Sequence, residues 1–319
     1  MLQSKAHSME KSRQVRYSIQ KGDDDMHVQN PQELAYYSDM GDGRVDYNAV
    51  YNFDEHYDQH GLHSHDYYEL FVHFGGARFV GIDNQVFSMQ PNQLIVFPPF
   101  CLHGLTPDSA PVNYERGYLN ISASMLRRIG GEELDLVHFF QQYAQRGRNQ
   151  CVLSDADAQV CKQLLQAIRE GMADDSHTGR FSNIARISYF LQLICQRLKG
   201  SDVNAEPVVV NEAMQEVLAY LNSHFTQSIR LEMLARKFGI SVSFLSHEFV
   251  KYTGRSVYDY VLYRRVVMAK ELINTNAALS DVAFRCGFSD YSNFLRIFRK
   301  FAGETPTDYR KKVRQLREK

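Results

Sequence analysis

The sequence predicts an α+β multidomain protein: an antiparallel β-barrel of the jelly-roll kind with helices after it, then an all-α domain with two helix-turn-helix units. Three observations predict this. Between Val45 and Ile121, short runs of Val, Phe, Tyr and Ile alternate with Gly, Pro, Asn and Asp, as in GIDNQVF and QPNQLIVFPP, which is the texture of short strands and tight turns. From Ser122 onward apolar residues recur at three- and four-residue steps, the period of helices that bury one face. Formal charge also divides: residues 210–319 hold 18 Lys/Arg against 11 Asp/Glu, net +7, and residues 1–209 hold 18 against 26, net −8.

At 319 residues and 44% hydrophobic, the chain has the length and apolar content for two cores. Residues 1–44 are polar, contain KGDDD and GDG, and read as an N-terminal tail. No apolar run approaches the roughly 18 residues that span a bilayer, and MLQSKAHSMEKSR lacks the apolar segment of a secretion signal, so a cytoplasmic protein with no membrane partner is expected. The cysteines, Cys101, Cys151, Cys161, Cys195 and Cys286, are odd in number and lack CxxC spacing. Buried thiols in a reducing compartment are expected.

Within the β region lies HSHDYYELFVHFGG. On a strand His63, His65, Tyr67, Glu69, Phe71 and His73 share one face, while Tyr68, Leu70, Val72 and Phe74 share the other. Beyond Ser122, Ser154–Met172 places Val160, Leu164, Leu165 and Ile168 on one side of a helix. Arg180–Leu198 does the same with Ile184, Ile187, Leu191, Ile194, Cys195 and Leu198. The polar KGSDVNAEPV over 199–208 marks the boundary between a domain at 45–200, a linker at 201–209 and a domain at 210–319.

The last domain opens with a helix over Asn211–Phe225. A first helix-turn-helix follows, in which Ile229, Leu231, Leu234, Ala235 and Phe238 pack, Gly239 turns, and Ser241 caps a helix to about Thr253. A long helix, Val257–Asn274, leads to the second unit. There Leu279, Val282, Ala283 and Cys286 form an apolar face, Gly287 turns, Ser289 or Asp290 caps, and Phe294, Ile297, Phe298 and Phe301 make a second stripe. The outward side chains of its second helix, Tyr291, Ser292, Asn293 and Arg296, can donate and accept at base edges. A basic domain with such faces, joined to an acidic one, is the footprint of a binder of double-stranded DNA.

The run GFSDYSNFLRIFRKFAGETPTDYR resembles the C-terminal signature of the AraC/XylS family of bacterial transcription regulators, through Ala283, Gly287, Phe288, Phe294, Phe298, Lys300, Gly303, Pro306, Tyr309 and Arg310. By residue-wise match, the resemblance puts Ser243, Ser246 and His247 of the first unit in the major groove. The spacing His-x-His-x3-Glu-x6-Gly, followed by PPFCLH, resembles the two motifs of the cupin barrel, with Asn92 and Phe100 standing where cupins usually carry glycines. In cupin enzymes the residues matching His63, His65, Glu69 and His103 bind a metal. In AraC-like sensor domains the pattern often survives as an organic-ligand pocket, so no metal or other cofactor is assigned. His63, His65, Tyr67, Glu69 and His103 are instead expected to hold a small-molecule effector. The acceptor-rich set suits a sugar, and Arg78, if turned inward, would suit a carboxylate. The family resemblance further implies a homodimer formed through the helices after the barrel, and an activator that contacts RNA polymerase. The alternative from another class is a cupin metalloenzyme with an appended helical domain.

Overall fold

A computed structural model describes residues 46–317 apart from 58–60, 84, 107–108, 110, 202–205, 210, 274 and 276. The expected N-terminal tail, 1–44, lies outside the described residues, as does part of the 201–209 linker.

The strands are β1 (Tyr47–His56), β2 (Tyr68–Gly75), β3 (Phe79–Ile82), β4 (Gln85–Ser88), β5 (Gln93–Phe97), β6 (His103–Leu105), β7 (Val112–Ile121) and β8 (Gln150–Val152). The expected barrel is built as two sheets, ordered β1-β7-β2-β5-β8 and β4-β3-β6, with every pairing antiparallel. A bridge between His63 and His103 links the segment before β2 to the smaller sheet. Strand β2 alternates as its pattern requires. Leu70 and Val72 enter a core beneath the helices, whereas Phe71 faces the space between the sheets with Val80, Phe97 and Tyr118.

Helices cover the outer face of the large sheet: α1 (Ala123–Gly130), α2 (Leu136–Gln145), α3 (Asp155–Gly171) and α4 (His177–Lys199). Ser154 caps α3 through the Asp157 amide and Ser176 caps α4 through the Gly179 amide. The sequence pattern misplaced β8, three residues lying inside a region that reads as helix and pairing with β5. Ile184, assigned to the buried stripe of α4, is instead 40% exposed, because the face turned inward at that end of the helix is the one that carries Gly179, Asn183 and Ile187.

The C-terminal half is helical: α5 (Glu212–His224), α6 (Leu231–Lys237), α7 (Val242–Thr253), α8 (Val257–Ile273), α9 (Leu279–Arg285), α10 (Tyr291–Ala302) and α11 (Pro306–Arg317). The pairs α6–α7 and α9–α10 are the two helix-turn-helix units. Helix α8 serves both. Its Tyr260, Tyr263 and Val267 enter a core with α5, α6 and α7, and its Leu262, Val266, Ala269 and Ile273 enter a second core with α9, α10 and Tyr309. The first of these cores also takes in Leu62, Val86 and Leu102 from the β-region. All five cysteines are buried free thiols. Among the described residues, no helix is long and apolar enough to cross a membrane.

Candidate effector site and nucleic-acid interface

His63, His65, Glu69 and His103 converge from three places: the extended segment before β2, the second residue of β2, and the start of β6. Their ligand atoms all lie within 4.8 Å of one another. The His63–His103 bridge fixes two of them together, through amide bonds of 2.9 and 2.8 Å in opposite directions. Rings close the sides. Tyr67 stacks on His65 at 3.9 Å between centroids, and Phe97 stacks on His103 at 4.0 Å. Tyr67, placed with the tetrad by its odd position, thus packs beside it as a wall.

The hydrogen bonds fix the tautomers of two imidazoles. His65 Nδ1 lies 3.0 Å from the Tyr67 carbonyl oxygen and His103 Nδ1 lies 3.0 Å from that of Cys101. A carbonyl oxygen only accepts, so each Nδ1 donates its proton, which leaves each Nε2 turned toward the centre of the cluster. Both Nε2 atoms face Glu69 Oε2, at 3.1 Å from His65 and 3.7 Å from His103. His103 Nε2 is fully buried and makes no hydrogen bond among the described residues. Burial pushes the His63 and His65 imidazoles toward their neutral forms, with the His103 ring adding to the effect at His63. Burial alone would raise the Glu69 carboxyl, but the His103 and His65 imidazoles outweigh it and hold that group well below the usual carboxylate range. The centre is an ionised carboxylate surrounded by imidazole nitrogens.

Two residues that depart from the cupin pattern have an unusual backbone. Asn92 and Phe100, which stand where cupins carry glycines, adopt φ of 62° and 67°, the left-handed conformation glycine tolerates without strain. His73, on the same strand face as the tetrad, is not part of it: its Nδ1 bonds to the Gln90 carbonyl and its Nε2 accepts from the Ala77 amide. Arg78 is exposed over Phe79, so it does not reach the interior to bind a carboxylate.

At the other end of the chain, Ser241 Oγ accepts from the Phe244 amide at 3.1 Å and Asp290 Oδ1 accepts from the Asn293 amide at 2.7 Å. These caps start α7 and α10. Of the two capping residues the sequence allowed for α10, Asp290 is the one used. Ser243 and His247 on α7, and Tyr291, Ser292 and Arg296 on α10, are exposed, while Ser246 and Asn293 are half-buried. Arg296 Nη2 donates to Asn293 Oδ1 at 2.9 Å, which lines the two side chains up on one face. The basic end, Arg310–Arg314, belongs to α11 and is partly internal: Arg310 donates to the Ala277 carbonyl, and Lys312 pairs with Glu304 at 3.7 Å.

Sequence reasoning missed what lies between these two faces. Ser64 Oγ and Tyr263 Oη are 2.5 Å apart, the Leu62 amide donates to the Thr253 carbonyl at 3.3 Å, and Arg264 reaches Asp83 at 3.9 Å. A cavity of about 870 Å³ lies alongside, lined by Asp83, Phe87, Phe100 and Arg264 among others. No local signal could have paired residues 199 positions apart.

The description "AraC-like ligand binding domain" matches residues 48–194, and "Helix-turn-helix domain" matches residues 234–312. The chain is 24% identical over 258 residues to the uncharacterized HTH-type transcriptional regulator YdiP of Escherichia coli, covering 80% of this chain and 82% of YdiP. It is 31% identical over 153 residues to the HTH-type transcriptional activator RhaS of Klebsiella pneumoniae, covering 47% of this chain and about half, 54%, of RhaS. Among solved structures, an apo form of a ToxT point variant from Vibrio cholerae aligns over 85% of this chain and 98% of its own at 12% identity and a TM-score of 0.36. A ligand-binding domain followed by a helix-turn-helix domain, in a chain whose named relatives are transcriptional regulators, places it: the chain belongs to the AraC/XylS family and is a ligand-controlled, DNA-binding transcription regulator, not an enzyme.

Proposed function

We propose that the effector of this regulator is a divalent first-row transition-metal ion held by His63, His65, Glu69 and His103. One observation carries the reading: the Nε2 atoms of two buried imidazoles, His65 and His103, converge on one oxygen of the buried Glu69 carboxylate, with His63 within ligand distance beside them. Polar groups crowded together away from water need partners, and a cation that all four can ligate would satisfy them together. Three imidazoles and a carboxylate suit Fe, Mn, Ni or Zn, and the Nδ1 bonds to backbone carbonyls are the orienting contacts such ligands take. A bound ion would supply the positive charge that draws the four groups together. A sugar is the second reading, since hydroxyl groups can donate to the same acceptors.

On DNA, Tyr291, Ser292, Asn293 and Arg296 read bases in one major-groove segment, and Ser243, Ser246 and His247 sit in the next. The exposure of Ser243 and His247 in the first half of α7, and of Tyr291, Ser292 and Arg296 in the first half of α10, supports this. Helix α8, rising about 25 Å at 1.5 Å per residue, holds the two units apart on one face of the duplex. The activator RhaS among the relatives supports activation through RNA polymerase as the mode. Phe181, Ile184 and Tyr189, exposed on α4, support a homodimer through that helix. The reading takes the cytoplasm as the site of action, residues 1–44 as a tail and 201–209 as the linker between the domains.

Elemental analysis of the full chain purified without an affinity tag tests the metal. It should find about one equivalent of a transition metal, lost in a His63→Ala/His65→Ala variant. Metal-free protein whose DNA affinity responds to a sugar and not to any divalent ion would overturn the reading in favour of the second.

A further inference from the structure

Between the tetrad and the DNA-binding half lies one layer of chain, the segment Gly61–Asp66, and its residues alternate. His63 and His65 face the tetrad. Leu62, Ser64 and Asp66 face the other way, and each meets a different part of the C-terminal half. The Leu62 amide donates to the carbonyl of Thr253, the last residue of the first recognition helix, at 3.3 Å, and its side chain is 3% exposed in the core shared with α5–α8. Ser64, 5% exposed, has its hydroxyl 2.5 Å from Tyr263 Oη on the connecting helix, and the same phenol lies 3.2 Å from the Ser64 carbonyl. Asp66 accepts from Tyr309 Oη, on the helix that closes the second unit, at 3.4 Å. Gly61 completes the fit: at φ +72°, a Cβ there would stand 2.6 Å from the Thr253 carbonyl oxygen and 2.9 Å from Gly254.

We propose that Gly61–Asp66 is a strap through which occupancy of the tetrad is read by both helix-turn-helix units at once. This rests on the proposed effector site. In an extended segment alternate residues move as one body, so a shift of His63 and His65 toward a shared occupant carries Leu62, Ser64 and Asp66 with it. These three hold the end of α7, the middle of α8 and the start of α11. The strap therefore sets how the two recognition helices stand relative to each other, and the quantities it controls are DNA affinity and the preferred spacing of half-sites.

The test uses the full chain, Co(II) as the probe, and DNA selected by this protein from a random pool with half-sites at varied spacing. Co(II) binding is followed by its visible absorption in wild type, in Tyr263→Phe, which removes one oxygen and keeps the ring against Phe301, and in Gly61→Ala. Wild type should bind Co(II) and change its DNA affinity or spacing preference by about 5-fold or more. Tyr263→Phe and Gly61→Ala should bind Co(II) as wild type does, with the change on DNA reduced to under about twofold. Variants that bind Co(II) and keep the full change on DNA overturn the strap and leave the effector site standing; a wild type that binds Co(II) with no consequence on DNA shows a metal site that is not an effector site, and overturns both readings. A wild type that takes up no Co(II) overturns the effector site, and the strap as its relay falls with it. Should Gly61→Ala fail to fold, Tyr263→Phe decides.

Discussion

The two helix-turn-helix units share one plan and differ in what they are built into. The first, α6–α7, has Leu234, Ala235, Leu245 and Phe249 in a core that also contains Leu62, Val86 and Leu102 of the ligand-binding domain. The second, α9–α10, buries Val282, Ala283, Phe294, Ile297 and Phe298 in a core built wholly from the C-terminal half. Their outward faces differ in the opposite sense. The α7 face offers Ser243, Ser246 and His247, while α10 offers Tyr291, Ser292, Asn293 and Arg296, with Arg299 and Lys300 on its exposed last turn. The unit with the smaller, more neutral face is the one welded to the sensor, and the unit with the longer, charged face is freer of it. On the proposed reading, this division leaves more of the coupling to the ligand-binding domain with the first unit and more of the base reading with the second. Each prediction below sharpens that contrast or breaks it.

The turn glycines should show the largest difference. Gly239 and Gly287 occupy equivalent turns with φ of 65° and 86°. A Cβ on Gly239 would meet nothing within 4 Å, whereas one on Gly287 would lie 2.2 Å from the Thr226 carbonyl oxygen. Gly239→Ala therefore carries only the left-handed backbone cost, about 1–2 kcal/mol. Gly287→Ala adds a clash with main chain that cannot swing aside, a further 1–3 kcal/mol or so by analogy with overpacked cores. Urea unfolding of the full chain measures both. Equal losses would mean that the second unit does not depend on its seat against the loop after α5.

DNA affinity comes next. Arg296→Ala should lose about 1–3 kcal/mol on a selected site, since a guanidinium can take two acceptors of a guanine. Ser243→Ala removes one neutral hydroxyl and should lose about 1 kcal/mol or less. If Arg296→Ala weakens all sequences alike, Arg296 touches phosphate, and the reading role assigned to the second unit fails with it.

How much of this contrast was legible in the sequence follows from the range of each force. Helix period, caps and turns are local, so Ser241, Gly239, Gly287 and the paired apolar stripes could be read directly from the chain. The tetrad was legible for the same reason: His63, His65 and Glu69 lie within seven residues, and His103 follows a second short motif. What the strand pattern left out was the direction of the protons, because the carbonyls of Tyr67 and Cys101 that fix the tautomers are set by backbone course and not by residue type. β8 escaped because three residues carry no period. The seam between the domains escaped altogether. Leu62 reads as one apolar residue beside a histidine, and only the fold shows that it belongs to the core of a unit that begins more than 150 residues later.

The smallest predicted effect lies in the caps, and it separates charge from hydrogen bonding within the same contrast. Ser241 and Asp290 each satisfy one amide of the helix they open, so Ser241→Ala and Asp290→Ala should each cost about 1 kcal/mol in stability. Asp290 also places a negative charge at the positive end of the α10 dipole, a contribution of about 0.3–1 kcal/mol that salt screens and Ser241 cannot make. Asp290→Asn keeps an acceptor for the Asn293 amide while removing that charge. It should lose a few tenths of a kcal/mol at low salt and nothing measurable at high salt. On DNA the sign reverses, because a carboxylate at the start of a recognition helix repels the phosphates that the helix must approach. Asp290→Asn should therefore bind non-specific DNA more tightly, with a steeper salt dependence, while its preference for the selected site falls. Thermal unfolding at two ionic strengths, beside a salt titration of DNA binding, measures both. A loss of stability independent of salt would assign Asp290 to hydrogen bonding alone. The two units would then differ at their outward faces and in their cores, but not at their caps.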